Sequence, residues 1–324
     1  FRNMEMENAL RFTAHRRTVE RKQSGGAAPG QKRNGREAME CFFHLLFLLC
    51  GVVAVAFVLF ISIYLIISGL PAIREIGLVK FLFGKTWAPT ATTVEPSYGI
   101  LPFILSSVYG TLGATLIGVP VGLLTAVFLS KAAGPRVRTV VVTAIELLSG
   151  IPSVVFGLLG MQVLVPAVAR AFGKASGACL LSAIVVLAIM ILPSIINVSE
   201  TALKAVPREY EEASLALGAT HIETVFRVTV PAARSGIATA IVLGVGRAIG
   251  EAMAIIMVAG NVANMPGLFT SVRFLTTAIA SEMSYAAYGS LQRNALYSIG
   301  LVLFLFIMLI NVLLNVFIKH KKEG

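Results

Sequence analysis

Glu146, Arg247 and Glu251 are ionisable residues set in stretches otherwise too apolar to hold charge. A charged side chain at the centre of a bilayer costs about 2.5–3.5 kcal/mol on insertion scales, so it needs a partner or a wet cavity. Arg247 and Glu251 are four residues apart, one helical turn, and can pair on one face. At 1.5 Å per residue, Arg247 falls about 15 Å into its apolar run and Glu146 about 10 Å into another, entered from the same side. All three can meet around one midplane cavity if the two helices are neighbours. One chemistry is an anion gate. The planar fork of Arg247 matches the oxygens of a phosphate-type oxyanion, and Glu251 or Glu146 neutralises it when the path is empty. The other is a salt bridge that only locks two helices, and residue types alone do not choose between them. Gly244, Gly246 and Gly250 would let a backbone or a ligand come close. Ser149-Gly150-Ile151-Pro152-Ser153 interrupts the run holding Glu146. Pro152 removes a backbone donor, and Ser149 and Ser153 add hydroxyls. Broken helices line transport paths, although a proline kink explains the same residues. No His, Cys and Glu set has the spacing of a metal or catalytic site.

The elements that must position these residues are membrane spans. The chain has 324 residues, 56% hydrophobic and 13% charged, with a mean hydropathy of +0.84. Soluble domains carry about 25% charged residues. The composition therefore predicts an all-α integral membrane protein and argues against a soluble enzyme or a nucleic-acid reader. All 16 acids are Glu, which removes Asp-based metal and phosphoryl chemistry. The net charge of +11 suits anionic lipid headgroups better than nucleic acid. Cys41, Cys50 and Cys179 have no redox spacing.

Six runs reach the ~20 residues a spanning helix needs: Phe42–Ile67, Phe103–Leu129, Thr139–Val168, Ala178–Val198, Ile237–Ala259 and Ala295–Ile318. Residues 1–40 form a basic tail, disordered by composition, with a Gly/Pro/Ser-rich stretch at 24–30. Residues 41–70 are expected to hold the first spanning helix, 71–98 an outer loop with Trp87, 99–318 the core and 319–324 the end. The nine Lys and Arg of the tail, together with Lys319, Lys321 and Lys322, place both termini in the cytoplasm by the positive-inside rule.

Residues 199–235 are the most charged part of the core. Within 207–233, Pro207 suits a first helical turn, with Glu209, Glu211 and Glu212 near its positive end. Gly218 suits a left-handed cap. Thr220 and Glu223 have capping-box spacing for a second helix, which Pro231 closes. The expectation is a rigid helix-turn-helix knob.

This stretch resembles the EAA loop of type I ABC importer permeases. Glu212, Ala213 and Ser214 take the first triplet, Gly218 the glycine, and Val228, Val230 and Pro231 the closing positions. Ser replaces the second Ala, and Val replaces Ile and Leu. The resemblance implies the MetI-like permease fold and a coupling helix that docks on a separate ATPase, with Glu212, Ala213, Gly218 and Pro231 at the contact. No Gly-x-x-x-x-Gly-Lys-Ser/Thr loop is present. No cofactor is expected on this chain; ATP and Mg belong to the ATPase dimer.

From about Tyr98 onward the chain resembles the PstC-type permease family of bacterial phosphate importers. Glu146-Leu-Leu-Ser-Gly-Ile-Pro-Ser-Val-Val-Phe-Gly157, Ile191-Leu-Pro193, Gly246-Arg-Ala-Ile-Gly-Glu-Ala-Met-Ala254 and Gly260-Asn261 carry it, with Ala252 where Thr is expected. The resemblance implies ATP-driven phosphate import across the bacterial inner membrane. It also implies a PstA-like second permease, an extracytoplasmic phosphate-binding protein, a possible phosphate-sensing kinase, and transport roles for Arg247 and Glu251. The rivals are a permease for molybdate or sulfate and a secondary transporter. The latter predicts an inverted repeat, and no clear repeat is visible.

Overall fold

The computed structural model describes residues 33–91 and 95–320. Residues 1–32 of the expected tail and 321–324 of the expected end lie outside the described residues. Contacts divide the chain after Ile61, and the described residues from Ser62 onward form one compact unit.

Helix α1 runs Arg33–Ile76, longer at both ends than the expected 41–70. Arg33 to Glu40, assigned by composition to the tail, are helical. Helix α1 continues through Pro71 and stops before Gly77, whose φ is +88°. No residue of its most apolar window is buried. A helix apolar on every side and unburied suits lipid.

A short helix α2, Leu78–Phe83, leads to the hairpin β1 (Trp87–Ala88) and β2 (Ser97–Tyr98), with Trp87 opposite Tyr98. Trp87 packs edge-on against Tyr98 at 5.8 Å and, tilted, against Phe103 at 5.6 Å. Burial first, then the Glu75 carboxylate, push the Tyr98 phenol above its ordinary value. Helix α3, Leu101–Val127, follows and runs on into a π-helical turn, Phe128–Ala132.

The third span, expected at Thr139–Val168 with an interruption at 149–153, is divided there. Helix α4, Pro135–Gly150, ends; Ile151 and Pro152 are extended; helix α5, Ser153–Leu159, begins. A second π turn, Gly160–Leu164, joins α5 to α6, Val165–Ala171. Pro152 has no N–H to continue a helix, and its ring pushes the preceding Ile151 to extended geometry, φ −71° and ψ 127°. The feature is a break between two helices and not a kink within one.

Helix α7, Leu180–Lys204, is the hub, with 61% of its most apolar window buried. Its buried face carries Ile184, Leu187, Ile191 and Ile195 at helical spacing in the main apolar core. Helices α8 (Arg208–Ala216) and α9 (His221–Thr224), a π turn (Val225–Thr229) and α10 (Val230–Ala232) make the loop expected at 207–233.

The fifth span also breaks. Helix α11, Arg234–Gly250, ends at Glu251, and α12, Met253–Val258, follows. Helices α13 (Leu275–Glu282) and α14 (Leu291–His320) complete the chain. Among the described residues, five helices are long and apolar enough to cross a membrane. His221–Ala232 with Arg234–Gly250, bent by 71°, makes a sixth when taken together. The fold is thus an all-α membrane bundle.

Candidate functional site

The two broken spans share a plan. A helix of 16 or 17 residues ends, two residues stay out of the helix, and a short helix follows. The short helices pack on each other through Gly157. A Cβ there would lie 2.9 Å from the Cα of Ala254 and 2.8 Å from the Met257 sulfur, so glycine is what allows the contact.

The second break has no proline. Glu251 is extended, φ −73° and ψ 133°. Its carboxylate accepts a hydrogen bond from the Ala254 N–H at 3.1 Å, capping the start of α12. Its carbonyl accepts from the Thr276 hydroxyl on α13 at 2.7 Å. A side-chain cap of this kind is worth ~1 kcal/mol. Arg247 and Glu251, whose spacing permits a pair, are not bonded to each other. The helix that would align them four apart stops at Gly250, and the carboxylate is turned to the next helix.

Arg247 is half-buried on α11. Its Nη1 lies 3.4 Å from the Ser194 hydroxyl on α7. Gly244, one turn earlier, lets α7 come close: a Cβ there would sit 2.9 Å from Ile195. By contrast, a Cβ at Gly246, Gly250 or Gly150 would meet nothing within 4 Å. Close approach of another helix is seen at Gly244, whereas Gly246 and Gly250 border open space.

Glu146 is exposed on α4, next to the buried Ile145. No hydrogen bond or ion pair joins Glu146, Arg247 and Glu251 to one another among the described residues. Ser149 is exposed and Ser153 half-buried, each beside the first break. The arrangement is therefore a guanidinium on a spanning helix, bonded among the described residues to a neutral hydroxyl, four residues before the second break.

The second candidate region is the loop 207–233. Gly218 has φ +87°, and its N–H reaches the Leu215 carbonyl at 2.9 Å. The Thr220–Glu223 capping box forms, with Glu223 Oε2 accepting from the Thr220 N–H at 3.0 Å. Glu212, Ala213, Gly218 and Pro231 are all exposed. Leu217 is 90% and Ile222 72% exposed, with Tyr210 and Phe226 also open. Apolar side chains this open on a charged loop are available for contact.

Sequence reasoning missed several polar partners. Ser194 follows Pro193 in an apolar helix and carries no charge to draw notice. Glu200 receives Arg138 at 3.0 Å and Lys204 at 2.6 Å, tying α4 to α7; its four-residue spacing to Lys204 was a legible signal. Glu211, beside the motif Glu, bonds Lys131 and the Thr229 hydroxyl. Glu282 binds Arg273 and accepts from the Trp87 indole N–H at 3.0 Å and the Gln292 amide at 3.1 Å, joining the hairpin to α13 and α14.

Residues 118–321 match the model of the binding-protein-dependent transport system inner membrane component family. A probable ABC transporter permease protein, YqgH of Bacillus subtilis, is 40% identical over 87% of this chain and 93% of its own length. The phosphate transport system permease protein PstC of Xylella fastidiosa is 34% identical over 90% of this chain and 95% of its own. Two solved folds are similar. A chain of a bacterial alginate ABC transporter matches with a TM-score of 0.57 at 16% identity, covering 89% of this chain and 96% of that one. A chain of the inward-facing MetNI methionine transporter matches with a TM-score of 0.55 at 20% identity, covering 68% and 95%.

Proposed function

We propose, from the premise that the chain belongs to the binding-protein-dependent transport inner membrane component family, that it forms the path for inorganic phosphate in an ATP-driven importer. The chain is a permease subunit of an ABC importer, and such permeases work with a second permease, an ATPase and a binding protein. The observation that carries the phosphate reading is Arg247. It is a permanent cation inside a span, with a serine hydroxyl for its hydrogen-bond partner and no carboxylate bonded to it among the described residues. An unneutralised guanidinium in an apolar setting favours an anion, and its fork suits tetrahedral oxyanions. Relatives named as phosphate permeases support the same substrate.

In this reading, phosphate delivered from outside reaches Arg247, close in the chain to the second break. Ser149 and Ser153 offer hydroxyls along the way, and Glu146 and Glu251 border the path, Glu251 holding the second break in shape. Closure of the ATPase dimer moves the loop 207–233, with Glu212, Ala213, Gly218 and Pro231 at the contact. ATP and Mg reside on that partner. The phosphate-binding protein and a PstA-like permease complete the assembly. Both termini face the cytoplasm, and a phosphate-sensing kinase is a further partner on that side.

The test is uptake of radiolabelled phosphate at micromolar concentration into cells lacking their own permease, complemented with this chain and its partners. Restored uptake that excess arsenate blocks and sulfate or molybdate does not is the expected result. A complex that assembles, moves no phosphate and moves molybdate or sulfate overturns the substrate assignment.

A further inference from the structure

The loop 207–233 offers apolar side chains outward, but its inward face makes a polar contact that a docking surface does not require. Glu211 on α8 points back at the membrane end of the bundle. Its Oε1 accepts from the Lys131 ammonium and, at 3.1 Å, from the Thr229 hydroxyl. The Lys131 and Glu211 side chains are 19% and 24% exposed, and Thr229 is fully buried. One carboxylate therefore joins three segments: the start of the loop, its far end, and the end of the second span.

The two donors sit in equivalent places. Lys131 lies in the π turn Phe128–Ala132 that ends the second span, and Thr229 in the π turn Val225–Thr229 that ends the loop. A π turn is a wide, costly turn and recurs at functional sites. Around this contact, Val127, Leu129, Ala233 and Ile237 share one apolar core. That core is held by apolar burial, which is non-directional. A partly buried ion pair with a hydroxyl bonded to the same oxygen fixes a distance and a register.

We propose that Glu211 is a positioning residue, with Lys131 and Thr229 its anchors. Together they form the strut that carries displacement of the docking loop to the second span. This rests on the reading of residues 207–233 as the loop that meets the ATPase. The strut places the force on α3, which packs along the hub helix α7. It also explains why a glutamate precedes the motif glutamate: Glu212 is exposed for the partner, whereas Glu211 is turned inward.

The experiment uses the complete complex in lipid, with nitroxide labels on Arg208→Cys in the loop or Leu124→Cys in the second span, both exposed positions. Cys41 and Cys50, also exposed, are changed to Ser. Spectra are taken without nucleotide and with ATP on a hydrolysis-deficient ATPase. Both labels are expected to respond with Lys131 present. In Lys131→Met, which keeps the apolar stem, the loop label still responds and the Leu124 response is lost. Lys131→Arg keeps both responses, and the reciprocal pair Lys131→Glu with Glu211→Lys restores the Leu124 response. A Leu124 response that survives Lys131→Met, or that the reciprocal pair leaves lost, overturns the strut. A loop label silent in the unaltered complex overturns the docking reading, and the strut with it. None of these readouts depends on which oxyanion is carried.

Discussion

The break at Ile151–Pro152 and the break at Glu251–Ala252 both open on an extended residue, but they are made by different means and differ at the second position, where Pro152 has φ −58° and ψ 142° and Ala252 φ −124° and ψ −51°. Ile151 and Glu251 have nearly the same extended dihedrals. In the first, the covalent structure of Pro152 forbids the helix to continue. In the second, nothing in the local chain forbids it. Glu251 and Ala252 tolerate a helix, and the break persists because Thr276 and the Ala254 N–H hold Glu251 from outside the helix it leaves. A break set by a ring is stiff and local. A break set by tertiary hydrogen bonds depends on whether α13 stays in place, so it can respond when the bundle moves. The half-buried Arg247 sits beside the second kind.

The largest effect expected from this contrast falls on Arg247. A hydrogen bond to a charged group is worth about 1.5–3 kcal/mol, so Arg247→Ala should lower phosphate uptake by roughly tenfold to 150-fold, with assembly intact. Arg247→Lys should recover only part of it, because an ammonium lacks the fork. Next is Gly157→Val, which forces a side chain against Ala254 and Met257 where the two short helices meet. Overpacking of this kind costs about 1–3 kcal/mol, read as a lower unfolding temperature of the complex in detergent. Smaller again is Glu251→Ala, which removes the cap of α12 at ~1 kcal/mol. Glu251→Gln keeps an acceptor oxygen and should stay close to wild type in stability and uptake. Large loss of uptake in Glu251→Gln would mean that its charge acts on the path. Smallest is Pro152→Ala. Without the ring nothing local forbids the helix, so α4 is expected to extend through Ile151, with a stability change of about 1 kcal/mol or less. A break left unchanged in Pro152→Ala would mean that tertiary packing and not the ring holds it.

The same contrast explains what could be read in advance. The spans were legible because apolar runs of this length have one stable environment. The loop was legible because Pro207, Gly218 and the Thr220–Glu223 box are local signals, each satisfied within a few residues. Pro152 marked a disturbance, although a lone proline does not say whether a helix bends or ends. The second break was invisible: its causes, Thr276 and the packing of α13, lie about a helix length or more away in the chain. For that reason Arg247 and Glu251 seemed a helical pair, when one reaches Ser194 and the other caps α12. The glutamate that ties the loop inward, Glu211, was masked by two acidic neighbours of the same type, since sequence does not tell which of Glu209, Glu211 and Glu212 faces the bundle.

The central claim is that Arg247 meets the transported anion and does not merely hold two helices together. The most direct measurement is the concentration dependence of phosphate uptake by the purified complex in vesicles, comparing wild type with Arg247→Lys and Ser194→Ala. Contact with the anion predicts that Arg247→Lys raises the half-saturating phosphate concentration or slows translocation with unchanged unfolding temperature, and that Ser194→Ala has a lesser effect. Equal uptake in Arg247→Lys and wild type, with Arg247→Lys and Ser194→Ala lowering the unfolding temperature alike, would assign Arg247 to helix packing and contradict the account.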